Sequence, residues 1–96
     1  MKCTYLDTEC DVVLRKYGNK RTAILLFDPF GLPTAKATVN IPHVDIAEDE
    51  IIINEYDEQE SMLKALIEAE IIKDEIRVIH PAGSFIKFNV GKLNKR

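Results

Sequence analysis

The chain is poor in the residues from which an activity is most often read. It has two cysteines, no tryptophan, seven other aromatic side chains and no long apolar run. A membrane span would require about 20 consecutive apolar residues, so none is expected. Asp7, Glu9 and Asp11 interrupt the amino-terminal segment, which lacks the apolar stretch of a secretion signal. The expected compartment is the cytoplasm. Cys3 and Cys10 fit neither a C-x-x-C redox pair nor a zinc pattern, and His43 and His80 are distant in sequence. Two reduced thiols are therefore expected, with no metal and no cofactor. A disulfide would close only a short loop near a loose terminus, which a cytosolic protein would not keep.

Catalytic signatures are missing as well. The sequence holds no G-x-S-x-G, no Gly-rich phosphate loop, no H-E-x-x-H and no Cys/His pairing. Glu48, Asp49 and Glu50 could ligate a hard cation, but the EF-hand spacing with its central glycine is not there. His80, before Pro81 at a strand end, reads as structural. The expectation is a protein that is not an enzyme.

What remains is a folding pattern. At 46% hydrophobic and 30% charged, the 96 residues fit a single small globular domain, with loose ends expected at 1–10 and 92–96. Asp11 to Tyr17 reads as a first strand, and Gly18-Asn19 as a two-residue hairpin turn. Arg21 to Phe27 returns as a strand apolar on both faces, hence central. Asp28-Pro29-Phe30-Gly31 has the chemistry of a type I turn. Thr34 to Ile41 alternates, with Ala35, Ala37, Val39 and Ile41 facing inward and Lys36, Thr38 and Asn40 facing water. His43 to Glu50 is an acidic loop.

Ile51-Ile52-Ile53 follows as a short buried strand. Asp57 is an N-cap candidate and Glu60 its capping-box partner. Met62, Leu63, Leu66, Ile67, Ala69 and Ile71 then recur at helical spacing, so a helix from about Glu58 to Ile71 is expected to pack on the alanine face of the third strand. Ile76 to Ile79 and Phe85 to Val90 complete the strands, separated by a Pro81–Ser84 turn, and Gly91 to Arg96 is expected to fray. Strands outnumber the single helix and no βαβ alternation runs through the chain. The fold class is α+β: a small, mostly antiparallel sheet of five to six strands, with one amphipathic helix on one face.

Charge is strongly polarised. Residues 45–75 hold twelve carboxylates against Lys64 and Lys73, a net of −10, while the four carboxylates and eleven cations elsewhere give +7. Such a layout can steer and orient a partner. Asp45, Glu48, Asp49, Glu50, Glu55 and Glu58 are the candidate partner-binding surface, and a protein with a basic site is the expected partner. The alternative is a basic hairpin of Arg15, Lys16, Tyr17, Lys20 and Arg21, able to touch a nucleic-acid backbone and stack a base. A sequence pI of about 5.3 and the lack of any nucleic-acid-binding motif disfavour it. A third reading is a homodimer formed by an exposed edge strand, either the first or the last.

Two blocks carry a resemblance. Gly31, Pro33, Ala35, Ala37, Thr38, Val39, Asn40, Ile41 and Pro42 form the first. Asp49, Glu50, Ile53, Tyr56, Glu58, Glu60, Met62, Leu63, Ala65 and Leu66 form the second. In both, the chain resembles a family of short uncharacterised proteins, a domain of unknown function, carried by bacterial phages, plasmids and other mobile genetic elements. Tyr17, Asn19, Arg21, Phe85 and Val90 add weaker matches, and the similarity runs from about Val12 to Leu93. The family usually has Gly where Glu70 stands and Pro where Asn89 stands. The resemblance implies an accessory protein that binds a host or rival protein, such as a defence nuclease whose basic site would accept carboxylates in place of phosphates.

Overall fold

The computed structural model describes residues 1–94. It is an α+β fold of two antiparallel sheets and one short helix. Strands β1 (Lys2–Tyr5), β2 (Thr8–Lys16), β3 (Thr22–Phe27) and β4 (Pro33–Lys36) form a four-stranded meander in that order. Strands β5 (Glu50–Ile52), β6 (Ile72–Ile79) and β7 (Phe88–Leu93) form a second sheet with β7 in the middle, and helix α1 is Ser61–Glu68.

The two sheets are stitched together by the three residues after β4. Ala37 donates its N–H to the Ile24 carbonyl and accepts one from Asn54, while Val39 donates to Ile52. Thr38 and Ile53 form an isolated bridge. The alternating strand expected from Thr34 to Ile41 therefore breaks at Lys36, where the chain leaves β3 for β5. This explains Thr38, which the alternation aims at water but which is buried. Its hydroxyl accepts the Ile24 N–H at 3.2 Å and meets the Tyr17 hydroxyl at 2.8 Å, replacing ladder bonds lost at the crossing.

Read through this link, the strands follow one another from β1 to β6, and α1 packs on those two outermost strands. Met62, Ala65 and Leu66 are its buried face. They join Cys3, Tyr5, Cys10, Ile24, Leu26, Ala37, Ile51, Ile53 and Ile72 in a single core. Ala37 is thus in the core as expected, but the helix rests on β1 and β6 rather than on the alanine strand. The expected seat fails because residues 1–10, expected as a loose end, contain β1. Lys2–Tyr5 instead pairs in register with Thr8–Asp11, and Cys3 and Tyr5 turn inward. The signal was hidden by the turn: Leu6 and Asp7 both take positive φ, 50° and 63°, where Gly or Asn is usual.

Other boundaries also move. The β2–β3 connection is the three-residue loop Gly18-Asn19-Lys20, closed by the Tyr17 N–H on the Arg21 carbonyl, and it is Lys20 that takes positive φ (71°). The Asp28–Gly31 turn forms as expected, with Gly31 N–H on the Asp28 carbonyl and the Asp28 carboxylate accepting from Phe30 and Leu32. Phe85 and Ile86 lie in an exposed loop before β7 instead of in the strand. Gly91–Leu93, expected to fray, are the end of β7; Lys95 and Arg96 lie outside the described residues.

The helix is shorter than its periodicity. Ala69 is its C-cap and Glu70 takes the left-handed conformation (φ 59°). Glu70 N–H bonds the Ile67 carbonyl and Ile71 N–H the Leu66 carbonyl, the two bonds of a Schellman motif. A glutamate thus occupies the position where glycine is cheapest, and the Asn94 amide holds its carbonyl at 2.7 Å. At the other end Glu60 is the N-cap, also left-handed (φ 56°), with no side-chain cap of its own. The expected capping box does not form; two upstream acids take its place.

Candidate functional site

The N-terminus of α1 faces an acidic groove of about 510 Å³. The Glu55-Tyr56-Asp57-Glu58 segment, leading from β5 to the helix, supplies one wall and Ile86, Lys87, Phe88 and Asn89 the other. Glu55 caps the helix from outside: one carboxylate oxygen accepts the Met62 N–H at 3.0 Å and the other the Leu63 N–H at 3.2 Å. Asp57 accepts the Ser61 N–H at 3.1 Å. These bonds satisfy N–H groups that an isolated helix leaves without partners. Glu60 accepts from the buried Asn89 amide at 2.6 Å, tying its strained backbone to β7. Glu58 is exposed and holds no partner among the described residues.

The carboxylates differ in their protonation. Burial pushes the Glu55 carboxyl up, against the pull of the Met62 and Leu63 N–H groups, and the nearby Asp57 and Glu60 charges push the same way. The Ser61 N–H holds Asp57 below the usual carboxylate range. Among the described residues, Lys87 is the only cation that lines the groove. Tyr56 is pinned at the rim: its hydroxyl donates to the Lys36 carbonyl at 2.8 Å and accepts from the Asn54 amide at 2.9 Å. Its ring lies 6.5 Å from that of Tyr5, tilted by 56°. A second, mostly apolar concavity of about 390 Å³ shares Tyr56 and runs to Tyr5, Leu6 and Ala35. Leu6, Tyr56 and Ile86 are exposed along these two hollows. The arrangement suits a cation carried on an apolar or aromatic neighbour.

The six acids expected to form one surface do not act alike. Glu55 and Glu58 lie on the groove. Glu50 is buried, accepting from Arg77 through both oxygens at 2.9 Å and from the Ala47 N–H at 2.8 Å. Asp49 is half-buried and its carbonyl accepts from Leu93. Asp45 and Glu48 are exposed, and Glu48 lines a separate cleft of about 500 Å³ with Lys16, Asn19, Lys20 and Arg21. The fold thus brings one predicted acid against the predicted basic hairpin.

That hairpin is largely committed to structure. Arg21 donates to the carbonyls of Ile41 and Val44, and the Tyr17 hydroxyl is held by Thr38, away from a stacking role. Arg15, Lys16 and Lys20 stay exposed. The two strands expected at the edges are interior ones, and β1 and β6 are edges in their place. The strand read as first is flanked by β1 and β3, and the last, β7, lies between β5 and β6.

Asp57, Glu60, Tyr56 and Ile86 line the groove without belonging to the acidic surface expected from the sequence. The acid-rich run 55–60 just before a helix was the available signal, but nothing in the sequence places Ile86 opposite it. Among the described residues, no group of His, Cys, Asp and Glu is arranged to hold a metal ion, and no helix is long and apolar enough to cross a membrane. No protein-family profile, curated protein or solved structure matches the chain.

Proposed function

We propose that this chain is a non-enzymatic, cytoplasmic interaction module whose acidic groove receives an Arg or Lys side chain from a basic site on another protein. One observation carries the reading. Glu55, Asp57, Glu58 and Glu60 line a single concavity whose other wall includes Ile86 and Phe88. A guanidinium entering it meets carboxylates at its fork and apolar surface along its stem, the combination that favours arginine at interfaces. The left-handed Glu60 supports the reading, since a strained backbone at a groove is a recurrent mark of a functional position. The resemblance to proteins of mobile elements suggests the biological setting: inhibition of a host or defence protein that handles nucleic acid, with carboxylates imitating phosphates.

Glu50 and Glu55 are unsuitable probes because they hold the fold together. Glu58→Lys and Ile86→Asp alter the groove at exposed positions. Isotope-labelled protein titrated with a short peptide alternating Arg and Leu should show amide shifts confined to residues 55–60 and 86–89. Either substitution should weaken them at least tenfold, and added salt should weaken them in the unsubstituted chain. Shifts scattered over the surface, or centred on Asp45 and Glu48, would remove the groove from the argument.

A further inference from the structure

Cys3 on β1 and Cys10 on β2 are directly opposed in the antiparallel ladder. Directly opposed side chains lie on the same face of a sheet. Here that face is the core, where Cys3 is 5% exposed and Cys10 is 0%. The Val12 N–H donates to the Met1 carbonyl at 2.7 Å, two positions along the same ladder. Hydrogen-bonded pairs alternate with non-bonded ones in an antiparallel ladder, so Cys3 and Cys10 also form a hydrogen-bonded pair, with Cα atoms about 5.5 Å apart. That separation falls inside the roughly 4.4–6.8 Å over which two cysteines can be bridged without moving the backbone. Both thiols are free.

We propose that Cys3 and Cys10 are a reversible modification site: an intrachain disulfide that staples β1 to β2 when the protein meets an oxidised low-molecular-weight thiol such as glutathione disulfide. The Cys3 thiolate attacks one sulfur of glutathione disulfide, releasing one glutathione thiolate and leaving a mixed disulfide. The Cys10 thiolate then attacks the Cys3 sulfur and expels the second glutathione. Two protein thiols lose two protons and two electrons, and one glutathione disulfide becomes two glutathiones.

Access is governed by the fold. With β1 in place both sulfurs are buried, and burial together with neighbouring Cys10 pushes the Cys3 thiol up to about 11, so the closed pair is inert. Within its sheet β1 pairs only with β2. Local opening of this outer strand therefore exposes both thiols without unfolding the rest. Once formed, the bond closes a short loop and keeps β1 under the helix.

The test uses the native, full chain. Incubation with glutathione disulfide at mildly alkaline pH should yield a monomer lighter by two hydrogen atoms, restored by dithiothreitol, with its urea midpoint moved to higher denaturant. Cys3→Ser and Cys10→Ser should each stop at a single glutathione adduct or remain unmodified. A lasting adduct on the unsubstituted chain, a disulfide-linked dimer, a lowered midpoint, or no change in mass while the urea-unfolded chain closes the ring would each overturn the proposal.

Discussion

Glu50 and Arg77 meet across β7: the Arg77 Nε and a terminal nitrogen reach the two carboxylate oxygens at 2.9 Å each, from strands that are not themselves neighbours. Glu50 is 8% exposed in its side chain and Arg77 47%. The pair clamps the outer strands of the second sheet and fixes the Ala47 turn through a third bond to the same carboxylate. Glu50→Gln should destabilise the chain by about 1.5–3 kcal/mol, the range for a hydrogen bond to a charged group, measurable in urea melts.

The same carboxylate shapes the acid limb of stability. The Arg77 bonds hold the folded-state Glu50 carboxyl below its ordinary 4.5. Its contribution is therefore complete above about pH 4.5 and is lost as pH falls through the folded value. Glu55 has the opposite sign. Burial raises its folded carboxyl above 4.5, so ionising it opposes folding, and lowering the pH through that range adds stability. Urea midpoints taken from pH 7 to pH 3 should show the Glu50→Gln chain losing less on acidification than the unsubstituted one, and a Glu55→Gln chain losing more. Parallel curves for all three would show that neither carboxyl is coupled to folding.

Leu66 is fully buried in the middle of the helical face that meets β1 and β6. Leu66→Ala should cost about 2–5 kcal/mol, a large share of the roughly 5–15 kcal/mol that holds a small domain. Lys64 is exposed on the same helix, and Lys64→Ala should stay within about 0.5 kcal/mol. Equal midpoints for the two would mean that the helix faces the other way.

Much of this architecture was legible in the sequence, and the failures share a cause. The apolar run Ala23–Phe27, the Ile51–Ile53 strand, the Asp28 turn and the existence of the helix all follow from patterns contained within a few residues. What could not be read depends on partners far along the chain. Glu50 looks like one more surface acid until Arg77, 27 residues on, folds over it. Thr38 looks solvent-facing until the chain crosses between sheets. The first hairpin leaves no turn signal because Leu6 and Asp7 adopt a conformation that their side chains do not favour. In the groove the acids were visible as a run, but its opposing wall was not.

Glu70 offers a stabilising substitution. Its left-handed backbone costs a non-glycine residue about 1–2 kcal/mol, part of which glycine gives back through the greater freedom of the unfolded chain. The Schellman bonds and the Asn94 contact use only backbone atoms of residue 70. Glu70→Gly should therefore raise stability by about 0.5–1 kcal/mol, seen as a higher urea midpoint. A lower midpoint would show that the side chain does something beyond tolerating its position.

Gly91 is a tight spot of another kind. A Cβ there would lie 2.9 Å from the Ile72 Cδ1 and 3.4 Å from that of Ile76. Both atoms are the free ends of isoleucines, which can yield in part. Gly91→Ala should cost about 1 kcal/mol, the low end for overpacking a core. A frayed tail would tolerate the change without effect, so the melt distinguishes the two descriptions of this segment.

The central position of β7 orders events during synthesis. β5 and β6 are made before it and pair with it rather than with each other. Until Phe88–Leu93 leaves the ribosome, β6 waits with its main-chain hydrogen-bonding groups unmatched, β5 is held only along the edge that meets Thr38 and Val39, and Ile51, Ile52 and Ile72 lack a finished core. The β1–β4 meander has no such delay, since each of its strands pairs with the one just made. A nascent chain stalled between Ile79 and Phe88 would thus carry one assembled sheet with β5 attached along one edge, and β6 without a strand partner. That interval is when a chaperone would find most to hold, and when two ribosomes on one message would most readily cross-pair their products.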